Sequence, residues 1–289
     1  MIGYKTVLGM NLRNCLIDQV NPRSAQKAAD SKQEAKDRME GAGVCFVPSF
    51  AVLRDRLDTR RFDFDSLPDS WVVKPNGGAQ GRGIVLATDR DDGDGWKSPS
   101  GKSLSREWLR KHLDLIAAGE FSSGSAQTDW ILFEPLIRPH KLLADMSEGG
   151  LPDIRIICYK QDPVMAMLRV PTKKSDGKAN LHRGAVGVGI EIESGRTTRA
   201  EMKRKQVTHH PDNGMALENI EIPFWDDILT MSEKASEVLG LGYAGLDITL
   251  DEERGAVLIE GNAHPGLEIQ NVNLRGLETA ASRVFGGKG

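Results

Sequence analysis

The chain has 289 residues, 39% of them apolar, with 31 glycines, which is enough to build a sizeable core and too apolar for a disordered chain. Its charge is 38 Lys and Arg against 41 Asp and Glu, a net of −3, so no overall basic excess argues for nucleic acid or an anionic membrane as partner. Cys15, Cys45 and Cys158 are odd in number, far apart and without C-x-x-C spacing, which supports neither a disulfide framework nor a zinc site and fits a reducing compartment.

Residues 1–20 carry only a short apolar patch, broken by Asn11, Arg13 and Asn14, and no run has the length of a membrane span, so a cytoplasmic protein is expected. Residues 24–41 place Ala28, Ala35 and Met39 in rough helical register and predict one polar helix stopped by Gly41. Residues 44–50 read as extended, interrupted by Pro48, with a short helix starting near Ala51. Residues 71–74 and 84–87 read as strands flanking the glycine loop 76–83, which makes a hairpin.

Residues 89–101 are acidic and glycine-rich without apolar periodicity, so they read as a surface loop and the best internal break. Trp108, Leu109, Leu113 and Ile116 predict a helix over 104–118. Strands follow at 130–133, 154–159, 164–170 and 186–192, then a long helix marked by Phe224, Ile228, Ala235, Val238 and Leu239 and closed by Gly240. Strands at 246–250 and 256–260 complete the pattern. Helices and hairpins intermix without a sustained β-α-β alternation, so an α+β protein of two lobes is expected over a doubly wound sheet.

Three segments carry chemistry. Val72-Val73-Lys74-Pro75-Asn76-Gly77-Gly78-Ala79-Gln80-Gly81-Arg82-Gly83 lacks the G-x-x-x-x-G-K-[S/T] pattern, and its glycines lead into a strand where a dinucleotide-binding turn leads into a helix. It reads as a flexible hairpin whose amides fold over phosphates, with Lys74 supplying positive charge; an ordinary glycine-rich turn beside a surface lysine is the alternative. Next, a four-residue turn at 252–255 would set Asp247 opposite Glu260, with Asn262 on the same side. Such hard oxygen donors suit Mg²⁺, a solvated hairpin edge being the alternative. Third, residues 169–205 hold ten Lys and Arg against four Asp and Glu, a local +6. Arg155 and Arg169, on strands, are the candidates for gripping phosphate or carboxylate, while Lys173, Lys174, Lys178, Lys203, Arg204 and Lys205 read as solvent-facing.

The ordered set Val-Val-Lys-Pro with its glycine loop, Leu-Phe-Glu-Pro-Leu-Ile, Asp-Ile-Arg, Asn-Leu-His-Arg-Gly, Leu-Asp-Ile and Glu-Gly-Asn-Ala-His-Pro-Gly resembles the ATP-grasp superfamily, within it most of all the ribosomal-protein glutamate ligase and α-L-glutamate ligase-related proteins. The resemblance spans residues 21–276. It implies an ATP-grasp fold of two α+β lobes with the nucleotide cleft between them: an N-terminal segment 1–23, an N-lobe 24–134 with the phosphate loop, and a C-lobe 135–289 with the metal and acyl-phosphate site. It implies Lys32 and Lys74 on the ATP phosphates, under a loop of Gly77, Gly78, Gln80, Gly81 and Gly83. Glu134 would accept from the adenine amino group beside the Leu136 backbone. Asp247, Glu260 and Asn262 would hold Mg²⁺ (or Mn²⁺), Arg155 and Arg169 the transferred phosphate or the acyl phosphate, and Asn180 would lie beside the same phosphates.

The implied reaction is carboxylate–amine ligation through an acyl phosphate, forming ADP, with glutamate or another amino acid added to a peptide or protein. A small-molecule kinase and a nucleotide-binding regulatory protein are the alternatives. In the larger ligases a further N-terminal domain precedes the lysine matching Lys32, so a large acceptor, a second copy or a partner subunit is expected to complete the substrate wall. His264 occupies a position where relatives commonly differ, and reads as a structural histidine ahead of a proton acceptor.

Overall fold

The computed structural model describes residues 7–78, 81–122, 128–147 and 149–277. The chain forms two compact units, one of Met1–Asp30, Asp37–Phe46 and Arg138–Gly289, the other of Ser31–Lys36 and Val47–Ile137.

Helices α1 (Met10–Val20), α2 (Arg23–Asp30) and α3 (Lys32–Met39) open the chain. The single helix expected over 24–41 is therefore broken at Ser31. The cause is a cap: the Ser31 hydroxyl accepts from the Glu34 amide at 3.3 Å, satisfying a donor that begins a new helix. Residues Ala51–Leu53 form strand β1, where a helix was expected, and helix α4 follows at Arg56–Arg61. The Asp55 carboxylate caps α4 by accepting from the Leu57 and Asp58 amides at 2.7 and 2.8 Å.

Strands β2 (Trp71–Pro75) and β3 (Val85–Ala87) form the expected antiparallel hairpin. The expected loop 89–101 instead contains β4 (Asp89–Arg90) and β5 (Gly95–Lys97), which continue into β6 (Ser103–Ser105) as a small three-stranded sheet. Gly95 permits it, because a Cβ there would lie 2.5 Å from the Leu104 carbonyl oxygen. Trp96 of β5 is buried edge-on against Trp71 at 5.5 Å, so one aromatic anchor in a polar stretch decides the outcome.

Helix α5 (Arg106–Ala117) and strand β7 (Ile131–Glu134) complete this unit, whose main sheet runs β1-β7-β2-β3. Trp71 and Val73 of β2, Ile131 and Phe133 of β7, and Leu109, Leu113 and Ile116 of α5 share one core. Since strand side chains alternate, Lys74 and Glu134 stand on the opposite face.

The other unit adds helix α6 (Lys141–Met146), strands β8 (Asp153–Tyr159), β9 (Asp162–Val170), β10 (Val186–Ile190), β11 (Thr197–Met202) and β12 (Lys205–Val207), helix α7 (Trp225–Leu239), strands β13 (Tyr243–Asp251) and β14 (Gly255–Asn262), and helix α8 (Glu268–Asn273). Its seven strands are ordered β12-β11-β10-β9-β8-β13-β14, every neighbouring pair antiparallel. Gly240 closes α7 with φ +71°, its amide and that of Leu241 bonding back to Glu237 and Ser236.

Helix α7 covers one sheet face, close enough at Leu239 that a Cβ on Gly261 would sit 2.4 Å from it. The other face packs Ile157, Met165, Met167 and Tyr243 against Ile17 of α1 and Ile269 and Val272 of α8. The alternation that sends Ile156 and Leu246 toward α7 sends Arg155, Arg169 and Asp247 to this second face.

Candidate active site

Arg155 and Asp153 are two residues apart on β8 and share a face; register sets Arg155 opposite Asp247 and Asp153 opposite Arg169. The Arg155 guanidinium meets Asp247 side-on, Nε donating to Oδ1 at 2.7 Å and Nη2 to Oδ2 at 2.6 Å. Arg169 joins the row, its Nη2 donating to Asp247 Oδ2 at 2.7 Å and its Nε to Asp153 Oδ1 at 2.5 Å. Side-chain exposure is 12% or less throughout, so acids and arginines neutralise one another out of water. Burial pushes the Asp247 carboxyl up, but the guanidiniums of Arg155 and Arg169 outweigh it and hold it below the ordinary range. Asp153, with Arg169 alone bonded to its side chain among the described residues and Asp247 repelling it, is pushed up to about 7, chiefly by burial.

Glu260 does lie opposite Asp247, and Asn262 opposite Gly245, as expected, but by a different route. The connection leaves three residues, 252–254, between the paired Asp251 and Gly255, a register that alone would set Ile259 against Asp247. A bulge between Asp247 and Ile248 corrects it, pairing Asp247 with Glu260 and Ile248 with Leu258. Glu260 is half-buried and has no hydrogen-bond or ion-pair partner among the described residues. Asn262 Oδ1 accepts from the His264 amide at 2.7 Å, and the His264 side chain is exposed.

No group of three or more His, Cys, Asp or Glu side chains arranged for a metal occurs among the described residues. The donors here are two carboxylates and an amide, one carboxylate unpartnered and Asp247 Oδ1 accepting a single bond. That incomplete, all-oxygen set fits Mg²⁺, which keeps several waters and does not require an all-protein cage.

In the other unit, Glu134 is held by two ammonium groups: Lys74 Nζ lies 2.6 Å from Oε2 and Lys36 Nζ 2.5 Å from Oε1. Burial pushes the Glu134 carboxyl up, and the ammoniums of Lys74 and Lys36 overcome it to hold the group below its usual value. Burial lowers the Lys36 ammonium against the pull of Glu134. Lys32 Nζ donates to the Gly78 carbonyl at 2.6 Å and the Asn76 carbonyl at 3.2 Å, tying helix α3 to the glycine loop.

The loop is held from below. Asp129 accepts from the Gly77 amide at 3.0 and 3.1 Å, and His112 Nε2 lies 2.8 Å from the Gly83 carbonyl. Gly81 and Gly83 have φ of +69° and +74°, and a Cβ on Gly83 would sit 2.6 Å from the Phe121 ring. Gln80 falls outside the described residues.

Two further expected residues stand in these local settings. Asn180 caps a short helical turn, its side chain accepting from the His182 amide at 3.0 Å, and Leu136 is half-buried just beyond β7. Two others were missed in the sequence. Lys36 lies one helical turn beyond Lys32, a spacing that puts both side chains on one face, and Asp153 precedes Arg155 by the two residues that put both on one side of a strand.

Fold and site together define an α+β protein with an antiparallel seven-stranded sheet bearing alternating acids and arginines in one unit and a glycine hairpin tied to lysines in the other. The family model for sugar-transfer associated ATP-grasp proteins matches residues 11–285, nearly the whole chain, and the chain belongs to this ATP-grasp family. The match establishes the superfamily and does not single out the glutamate ligases.

A search of curated proteins finds no match. Among solved structures, the ATP-grasp ligase PsnB complexed with a minimal precursor is 15% identical, covering 92% of this chain and 63% of that one, with a TM-score of 0.47. The D-alanine–D-alanine ligase from Bacillus anthracis is 14% identical over 95% of this chain and 70% of its own, with a TM-score of 0.49. The L-amino acid ligase from Bacillus licheniformis is 13% identical over 86% of this chain and 44% of its own, with a TM-score of 0.49. The chain thus spans less than two thirds of PsnB. No helix among the described residues is long and apolar enough to cross a membrane.

Proposed function

We propose that this protein is an ATP- and Mg²⁺-dependent carboxylate–amine ligase, which activates an acid as its acyl phosphate and passes the acyl group to an amine, releasing ADP and phosphate. One observation carries the reading: Arg155 and Arg169 each commit Nε and Nη2 to buried carboxylates, and among the described residues Nη1 of each has no hydrogen bond and would be the group that meets an incoming anion. Guanidiniums anchored in this way are aimed before substrate arrives, as stabilisation of a transferring phosphoryl group requires. Such a transfer needs positioned charge and no protein nucleophile.

Lys74 and Lys32, beside the glycine loop, are the residues for the ATP phosphates, with Glu134 and the Leu136 backbone for the adenine. Asp247, Glu260 and Asn262 would hold Mg²⁺, which when bound neutralises developing phosphate charge. The family's association with sugar transfer makes a sugar-borne acid or amine part of the substrate search. The precursor peptide named with PsnB brings in peptide acceptors as well.

The test is ADP release measured over a panel of amino acids, amino sugars and peptides, repeated with hydroxylamine as acceptor. A hydroxamate and an amide product are expected. A stable phosphorylated product with no need for an amine would select a kinase, and nucleotide binding without turnover a regulatory protein.

A further inference from the structure

Lys36 and Lys74 divide a single carboxylate that is only 3% exposed. Two ammoniums on one carboxylate leave a surplus positive charge in a poorly hydrated place, a costly arrangement that an anion would relieve. The two lysines are not equally held. Lys36 bonds both Glu134 Oε1 at 2.5 Å and the Ser49 hydroxyl at 3.0 Å, whereas Lys74 has Glu134 Oε2 as its partner, at 2.6 Å. Lys74 therefore gives up less on leaving, and it stands on the strand that leads into the glycine loop.

We infer that Lys36 is a positioning residue that keeps Glu134 aimed as an acceptor while Lys74 leaves it for the phosphates of an arriving nucleotide, so that the vacated Oε2 selects an amino-bearing purine. This rests on the ATP reading above and adds to it a partner exchange and the residue that makes the exchange selective. A carboxylate that stays ionised can only accept, so it takes the N–H of a 6-amino purine and repels the oxygen of a 6-oxo purine. Without Lys36, Lys74 becomes the sole counter-charge of a buried acid and remains on Glu134. Phosphate binding and base discrimination then weaken together.

The experiment is calorimetric binding of ADP and of inosine diphosphate, with Mg²⁺, to the wild type, Lys36→Met, Lys36→Arg and Ser49→Ala, folding being checked by circular dichroism. One charged hydrogen bond to the base should make ADP tighter than inosine diphosphate by about 10-fold or more in the wild type. Lys36→Met should bring the two within about 3-fold and weaken ADP itself, and Lys36→Arg, which keeps the charge, should restore much of the ratio. Should Lys36→Met fail to fold, Ser49→Ala removes only the second anchor and should lower the ratio by about 3-fold. ADP binding with the ratio unmoved in Lys36→Met, or in Ser49→Ala if that is the variant that folds, overturns this inference alone. A wild type that binds neither nucleotide overturns the ATP reading together with it.

Discussion

Arg155 and Asp247, 92 residues apart, face each other across β8 and β13 as a two-bonded pair, and Arg169 closes on the same Asp247 oxygen from β9. The acid proposed to hold a metal is thus also the anchor of the arginines proposed to hold phosphate.

Asp247→Asn should therefore damage stability as well as turnover. It leaves two buried guanidiniums with Asp153 as their remaining neighbouring acid, and breaking a buried ion pair typically costs about 3–5 kcal/mol. Urea unfolding should show a clear fall in midpoint; an unchanged midpoint would mean that the row contributes nothing to the fold.

Glu260→Gln should separate the two roles. Glu260 has no partner among the described residues, so stability should stay within about 0.5 kcal/mol of the wild type. Turnover should drop by about 100-fold or more through lost charge stabilisation. Mg²⁺-titrated ADP release with parallel thermal melts checks both; full activity would defeat the metal assignment.

Gly83→Ala should strain the glycine loop on two counts, a left-handed backbone and a methyl driven against the Phe121 ring. A loss of about 1–3 kcal/mol is expected from overpacking and backbone strain. Denaturant unfolding and ADP binding should both register it, and wild-type values in both would show that the loop rearranges at no cost.

Acid should weaken the unit that carries Glu134. Its folded-state carboxyl titrates below the ordinary value, so its contribution is present above the unfolded pKa of about 4.5 and is lost as pH falls through the lower folded value. Below pH 4.5, wild-type stability should fall more steeply than that of Glu134→Gln. Parallel slopes in the two proteins would assign the acid sensitivity elsewhere.

The thiols should react in order of burial. Cys15 is exposed, Cys45 is partly buried with burial pushing its thiol up, and Cys158 is fully buried and pushed up further. A thiol reagent should label Cys15 first and Cys158 only on unfolding. Fast labelling of Cys158 in the native protein would place it at a mobile position.

What the sequence determined by itself was parity and period. Alternation along a strand is local geometry, so Arg155 and Arg169 were legible as strand residues, as were the helical spacing of Leu109, Leu113 and Ile116 in α5 and the glycine stop of α7. The ATP-grasp assignment was legible too, because its motifs are short, ordered and carried in the chain itself.

Partnership between distant segments was not legible. Ala51–Leu53 is a strand because β7 offers it an edge, and residues 89–101 form sheet because Trp96 finds Trp71. Asp247 meets Glu260 through a bulge that no pattern in the turn announces. Lys36 reads as one more charge on a polar helix until the fold sets it against an acid 98 residues away. A residue's face follows from its own backbone, but its counter-charge follows from which segments become neighbours, and only tertiary packing decides that.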